Sequence, residues 1–105
     1  MKSIALISLA TAAAAAVQIN YYTDGGCSQF NASPPNVPID GSCYQWQLSG
    51  TNSANIANCD HGRCQCTFYA GDNCQGAQDV ATSPGDNCAS NFGNGFRSFR
   101  CVVSD

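Results

Sequence analysis

Beyond residue 16, apolar and polar positions alternate in short runs and do not follow a helical period. Val17-Gln18-Ile19-Asn20-Tyr21, Cys64-Gln65-Cys66-Thr67-Phe68 and Phe99-Arg100-Cys101-Val102-Val103 each read as a half-buried strand, one face inward and one outward. Good helix formers are nearly absent from the same region, while Asp24-Gly25-Gly26, Asp40-Gly41, Gly71-Asp72-Asn73 and Pro84-Gly85-Asp86 supply turns between the runs. The pattern predicts an all-β chain.

The runs repeat. FYAGDNCQG (Phe68 to Gly76) restates YYTDGGCSQ at an offset of 47, so that Ile19, Tyr21, Tyr22 and Cys27 correspond to Cys66, Phe68, Tyr69 and Cys74. Cys43 then matches Cys88, and Ser53 matches Ser98, at an offset of 45. An internal duplication follows: two units of four strands each, about 17–59 and about 64–105, in one domain.

The first sixteen residues, MKSIALISLATAAAAA, are of another kind. One lysine, an apolar run too short to span a bilayer, and small residues at Ala14 and Ala16 predict a secretory signal peptide over 1–16. Cleavage leaves Val17 or Gln18 at the new terminus, and the chain from Val17 to Asp105 has 89 residues. Val, Ile, Leu and Phe supply only 14 of them, too few for a self-sufficient core. All eight cysteines lie beyond the leader, and an even number in an oxidising compartment predicts four disulfides. A closed loop of some fifteen residues is worth roughly 3 kcal/mol in the chain-entropy model, which offsets much of that shortfall.

Charge narrows the function classes. The mature chain has no Lys and no Glu, with seven Asp against Arg63, Arg97 and Arg100. Without a basic run, neither a nucleic-acid footprint nor an anionic-membrane anchor is expected, and no other stretch is long and apolar enough to cross a membrane. One His and no Glu leave no acid–base pair of the secreted ribonuclease kind, and no nucleophile elbow is present. A pair of Asp could serve a glycosidase, but so small a stapled chain leaves little room for a cleft. The expectation is a non-enzyme without cofactor, read as a monomer.

FYAGDNCQG resembles the signature of a βγ-crystallin Greek-key motif: an aromatic, four residues, an aromatic, one residue and a glycine. Tyr69 and Gly76 match it, and Cys74 stands where the second aromatic belongs. SPGDNCAS (Ser83 to Ser90) is similar to the family's third-strand approach, and FRSFRCVV places Ser98 at the motif serine. The first unit is a weaker copy, with Tyr22 fitting, Gln29 in place of the glycine, and Ser53 as its serine. The resemblance implies two Greek-key units forming one βγ-crystallin-like sandwich. With leader and cysteine density added, the chain resembles small secreted cysteine-rich proteins of filamentous fungi, a fold class whose microbial members include killer toxins and protease inhibitors.

Calcium is the family's best-known ligand, yet the aligned stretch Gly93-Asn94-Gly95-Phe96-Arg97-Ser98 has Gly first and a cation where a hydroxyl should stand. Cys59-Asp60-His61-Gly62-Arg63-Cys64-Gln65-Cys66 has the spacing of a zinc knot, but in a secreted chain disulfides take precedence and His61 becomes a turn residue. No metal is expected. Tyr44, Trp46 and Leu48 share one face and are assigned to the core ahead of an exposed binding stripe. The interaction candidate is the Pro-containing segment Ser33 to Gly41, with Asn36, Val37 and Ile39 placed outside the core. The sequon Asn31-Ala32-Ser33 is placed in an exposed loop as a glycosylation site.

First and fourth strands of a Greek key lie side by side, which predicts Cys66 with Cys101, the alternative exchanging Cys64 for Cys66. Cys59 is assigned to Cys64, and the repeat suggests Cys27 with Cys43 and Cys74 with Cys88. The expected role is a secreted, toxin- or effector-like binding protein acting on another organism's cells or proteins. A protease inhibitor and a structural component of the producer's cell surface are the alternatives.

Overall fold

The structure, a computed structural model, describes residues 17–46, 50–91 and 94–104. Residues 1–16, where a leader is expected, Leu48 and Gly93 lie outside the described residues. The three alternating runs form strands close to the expected bounds: β1 is Val17–Tyr22, β5 Arg63–Tyr69 and β8 Ser98–Ser104. β2 (Phe30–Ala32), β3 (Tyr44–Gln45), β4 (Ser53–Cys59), β6 (Gln78–Ser83) and β7 (Ala89–Ser90) complete two antiparallel sheets. The first has the order β2-β1-β4-β7 and the second β3-β8-β5-β6. No helix among the described residues is long and apolar enough to cross a membrane.

The third strand of each half leaves its own sheet for the other. β3 pairs with β8, Tyr44 opposite Phe99 and Gln45 opposite Ser98; β7 pairs with β4, Ala89 opposite Ala54 and Ser90 opposite Ser53. At offset 45 these are the same register, so the repeat is present in backbone pairing as well as in sequence. Hydrogen bonds outside the ladders repeat too. Asn52 N donates to Tyr22 O (2.8 Å) as Arg97 N does to Tyr69 O (2.9 Å), and Gly50 and Gly95 both have positive φ (83° and 77°).

One core cluster draws on both sheets. Tyr21 and Ile19 of the first meet Phe68, Phe99, Cys66 and Cys101 of the second, and Phe96 joins from the segment before β8. Rings carry much of it: Phe99 stacks on Tyr44 at 5.0 Å and packs tilted against Phe68 at 5.3 Å, while Tyr21 meets both edge-on. Tyr44 and Trp46 are partly buried against this cluster, as assigned.

All eight cysteines are paired. Cys66 joins Cys101, its cross-strand partner in β5 and β8, and Cys59 joins Cys64 across a tight turn, as expected. The two repeat-derived pairs are corrected. Cys27 joins Cys88, not Cys43, and Cys74 joins Cys43, not Cys88. The cause is the strand exchange. β3 and β7 lie in the opposite sheets, which carries Cys43 and Cys88 just before them to the other half's corner.

Two expected outcomes follow. In the chain-entropy model the 61-residue separation of Cys27 and Cys88 is worth about 4 kcal/mol, and the five-residue separation of Cys59 and Cys64 about 2 kcal/mol. Removing the first pair by double Ala substitution therefore lowers unfolding stability about twice as much as removing the second, measured by denaturant melts. Second, the Tyr21 hydroxyl is fully buried without a partner among the described residues, and burial raises its pKa. Because an unsatisfied buried hydroxyl is costly, Tyr21→Phe is expected to raise stability by about 1 kcal/mol in the same assay.

Candidate functional site

Each half turns a corner after its aromatic pair, and a buried serine holds it. Ser53 Oγ donates to Asp24 O at 2.6 Å and accepts from Cys27 N at 3.0 Å. Ser98 Oγ donates to Gly71 O at 2.7 Å and accepts from Cys74 N at 2.8 Å. Both serines are fully buried, and both corner cysteines, Cys27 and Cys74, have positive φ (57° and 56°). Tyr22 and Tyr69 are buried at the same place in each half, and the Arg100 guanidinium lies over the Tyr69 ring at 5.6 Å.

The corners differ in what closes them. In the second half Gly76 (φ 93°) comes against Gly71, where a Cβ would stand 3.2 Å from Gly71 N, and a Cβ on Gly71 would meet Gln75 O at 2.8 Å. In the first half, where Gln29 occupies the glycine position, Asp24 replaces this close approach with its carboxylate. Oδ1 accepts from Ser28 N and Gln29 N, and Oδ2 accepts from Gly26 N and Ser28 Oγ. Those four donors, the Ser28 hydroxyl foremost, hold the Asp24 carboxyl far below the ordinary carboxylate range. The sequence marked Asp24 only as part of a turn; its carboxylate as the acceptor that closes the corner was missed, although an Asx-turn residue at that position was the available signal.

The segment from Ser33 to Gly41 connects β2 in one sheet to β3 in the other. It is held along its length. The Tyr44 hydroxyl donates to Pro35 O at 2.6 Å, Gly41 N donates to Cys101 O at 2.9 Å, and Asp40 bridges to Val102. Asp40 is tied by Ser42, whose hydroxyl and backbone N–H lower its pKa. Asn36 is exposed at the tip in the left-handed region (φ 56°), which Asn tolerates. Val37 is not outside the core as expected: it is half-buried and packs against the core cluster, whereas Ile39, also half-buried, is not among the residues packed on that cluster. An apolar residue in a connection this tightly tied turns inward because so few aliphatics compete for the core.

Asn31 lies in β2, half-buried, with Nδ2 donating to Thr51 Oγ1 at 3.5 Å, so the sequon sits on an edge strand and not in a loop. Arg97 pairs with Asp72 at 3.1 Å, and Gln45 reaches the same turn, accepting from Asn73 N at 2.8 Å. In the calcium-aligned stretch, Arg97 and Ser98 thus serve the fold. Cys59 and Cys64 are spanned by a disulfide around half-buried His61. A cavity of about 120 Å³ beside Arg63, Gln65, Thr82, Pro84 and Val102 is well under the size of a drug-sized ligand site.

The outer side of the first sheet was not singled out from sequence. β1, β2, β4 and β7 contain no charged residue. Gln18 Nε2 donates to Asn20 Oδ1, Asn20 Nδ2 to the Tyr22 hydroxyl, and that hydroxyl to Asn55 Oδ1 at 3.0 Å. Ser33 Oγ also donates to Asn20 Oδ1. Phe30, 61% exposed, meets Tyr22 edge-on at its end.

No family model matches the chain, no curated protein matches it, and no solved structure matches it significantly.

Asp24 makes the first corner pH-sensitive. Its folded pKa lies below the unfolded value near 4, so its stabilisation is complete above about pH 4 and is lost as pH falls toward the folded pKa. Melting temperature is expected to fall below about pH 4, and Asp24→Asn to lower it at neutral pH while flattening the acid limb.

Proposed function

We propose that the chain is a secreted, non-enzymatic, cysteine-rich binding protein, toxin- or effector-like, directed at another organism's cells or proteins. The two halves are read as Greek-key units of a βγ-crystallin-like sandwich. Adjacent first and fourth strands in each half, β1 with β4 and β5 with β8, support that reading.

The observation that carries the binding role is the preorganised connection from Ser33 to Gly41. Its tip, Pro35-Asn36, is exposed, while Val37, the Tyr44 bond to Pro35 and the Asp40 bridge hold the flanks. A loop ordered before it meets its target loses little entropy on binding. Binding is favoured over catalysis because four of the carboxylates are engaged in holding the fold: Asp24 and Asp40 in Asx turns, Asp72 with Arg97, Asp79 with Ser90 N. Leader and disulfides support export. The same held loop would suit a protease inhibitor, which is the second reading.

Loop and core effects are separable by substitution. Asn36→Gly keeps the backbone conformation and is expected to leave the melting temperature unchanged while weakening binding to target cells about tenfold, a loss of about 1.4 kcal/mol. Val37→Ala is expected to cost about 1 kcal/mol of stability, since its side chain is only partly buried. Binding of labelled, oxidised protein to foreign cells measures the first, and residual activity of secreted proteases measures the alternative. Protease inhibition without cell binding would replace the effector reading, and unchanged cell binding by Asn36→Gly would remove the loop from it.

A further inference from the structure

We infer that the outer face of the first sheet is a second binding surface, for an uncharged polysaccharide such as a cell-wall glucan or chitin. This goes beyond the role given to the Ser33 to Gly41 connection and does not depend on it.

The chemistry of the face sets the class of ligand. No strand of this sheet carries a charge, whereas the second sheet has Arg63, Asp79 and Arg100 in its strands. An anionic polymer finds no cation in these strands, and the carboxylates that reach the rim of the sheet are engaged there, Asp60 with Asn58 Nδ2 and Asp79 with Ser90 N. What the face offers is amide and hydroxyl groups, each with donor and acceptor capacity, which is the complement of sugar hydroxyls. They are fixed in place. The chain of bonds Gln18 to Asn20 to Tyr22 to Asn55 links side chains that lie along β1 and cross to β4, where Asn20 and Asn55 are cross-strand partners. Each amide is thereby oriented before a ligand arrives, so little side-chain entropy is lost on contact.

Phe30 supplies the apolar part. It is one of only two large hydrophobics strongly exposed among the described residues, and Tyr22 braces it edge-on at 6.4 Å. A sugar ring presents C–H groups on one face and hydroxyls around its rim. An exposed ring beside a row of amides contacts both at once. Lying along a strand, the row suits an extended polymer, not a compact solute.

The test is co-sedimentation of the oxidised chain with insoluble chitin and β-1,3-glucan particles, with anionic pectin gel as comparison. The expected result is binding to at least one neutral particle that persists in molar sodium chloride, because no ion pair contributes. Phe30→Ala is expected to weaken it at least tenfold with an unchanged melting temperature, since the ring is mostly exposed. Gln18→Ala, at another exposed position, provides a second variant expected to weaken it. Asn36→Gly is expected to leave it intact, which keeps failure of this surface distinct from failure of the loop. No binding to either neutral particle, binding abolished by salt, or binding unaffected by both Phe30→Ala and Gln18→Ala would overturn the proposal.

Discussion

Cys27–Cys88 and Cys43–Cys74 cross between the two halves at equivalent places, and the rest of the architecture depends on that crossing. β3 and β7 are two residues each, too short to hold a place in a sheet by backbone pairing alone. The disulfides immediately before them fix those places covalently. Gln45, bonded to the turn at Asp72 and Asn73, and Asn87, whose side chain pairs both N–H and C=O of Ile56, add polar ties at the same two seams. Neither half can open without straining the other, because each corner is bolted to a segment of its partner.

Corner chemistry shows how one conformation is reached from two sequences. The second half uses backbone proximity that only glycine permits at Gly71 and Gly76. The first half uses a carboxylate gathering four donors. The glycine solution does not respond to pH. The Asp24 solution is ionic, and so the two otherwise equivalent halves differ in how they meet acid.

The alternating runs revealed β1, β5 and β8, and the repeat revealed equivalent halves, because both depend on local spacing. The two crossing disulfides were not legible for a reason inherent in duplication. If Cys27 is equivalent to Cys74 and Cys43 to Cys88, then pairing within each half and pairing between halves satisfy the repeat equally well. Only the placement of β3 and β7 decides, and no local spacing says which sheet a two-residue strand joins. Cys66 with Cys101 was legible because both lie on long alternating strands. Val37 was missed since a run of prolines reads as exposed whether or not one side chain turns inward. The uncharged ladder was present in sequence as Gln18, Asn20, Tyr22 and Asn55, but no linear signal joins residue 22 to residue 55.

The core explains how two similar halves can pack with so few aliphatics. Equivalent positions have diverged in opposite directions: Phe99 in the second sheet corresponds to Ala54 in the first, Tyr44 to Ala89, and Phe96 to Thr51. All three large residues belong to the second sheet or to the segment leading into it. Two identical halves would bring bulk against bulk and overfill the interior, or small against small and leave a void, and both are destabilising. Large-against-small divergence at these three positions lets Phe99, Tyr44 and Phe96 fill the space around Tyr21, which the first sheet contributes. That leaves the first sheet with a thin inner layer of Ile19, Tyr21, Ala54, Ile56 and Ala89, so its order rests more heavily on what lies outside the core. The hydrogen-bonded row from Gln18 to Asn55 on its outer face supplies such order, and the polysaccharide surface we propose rests on that same rigidity.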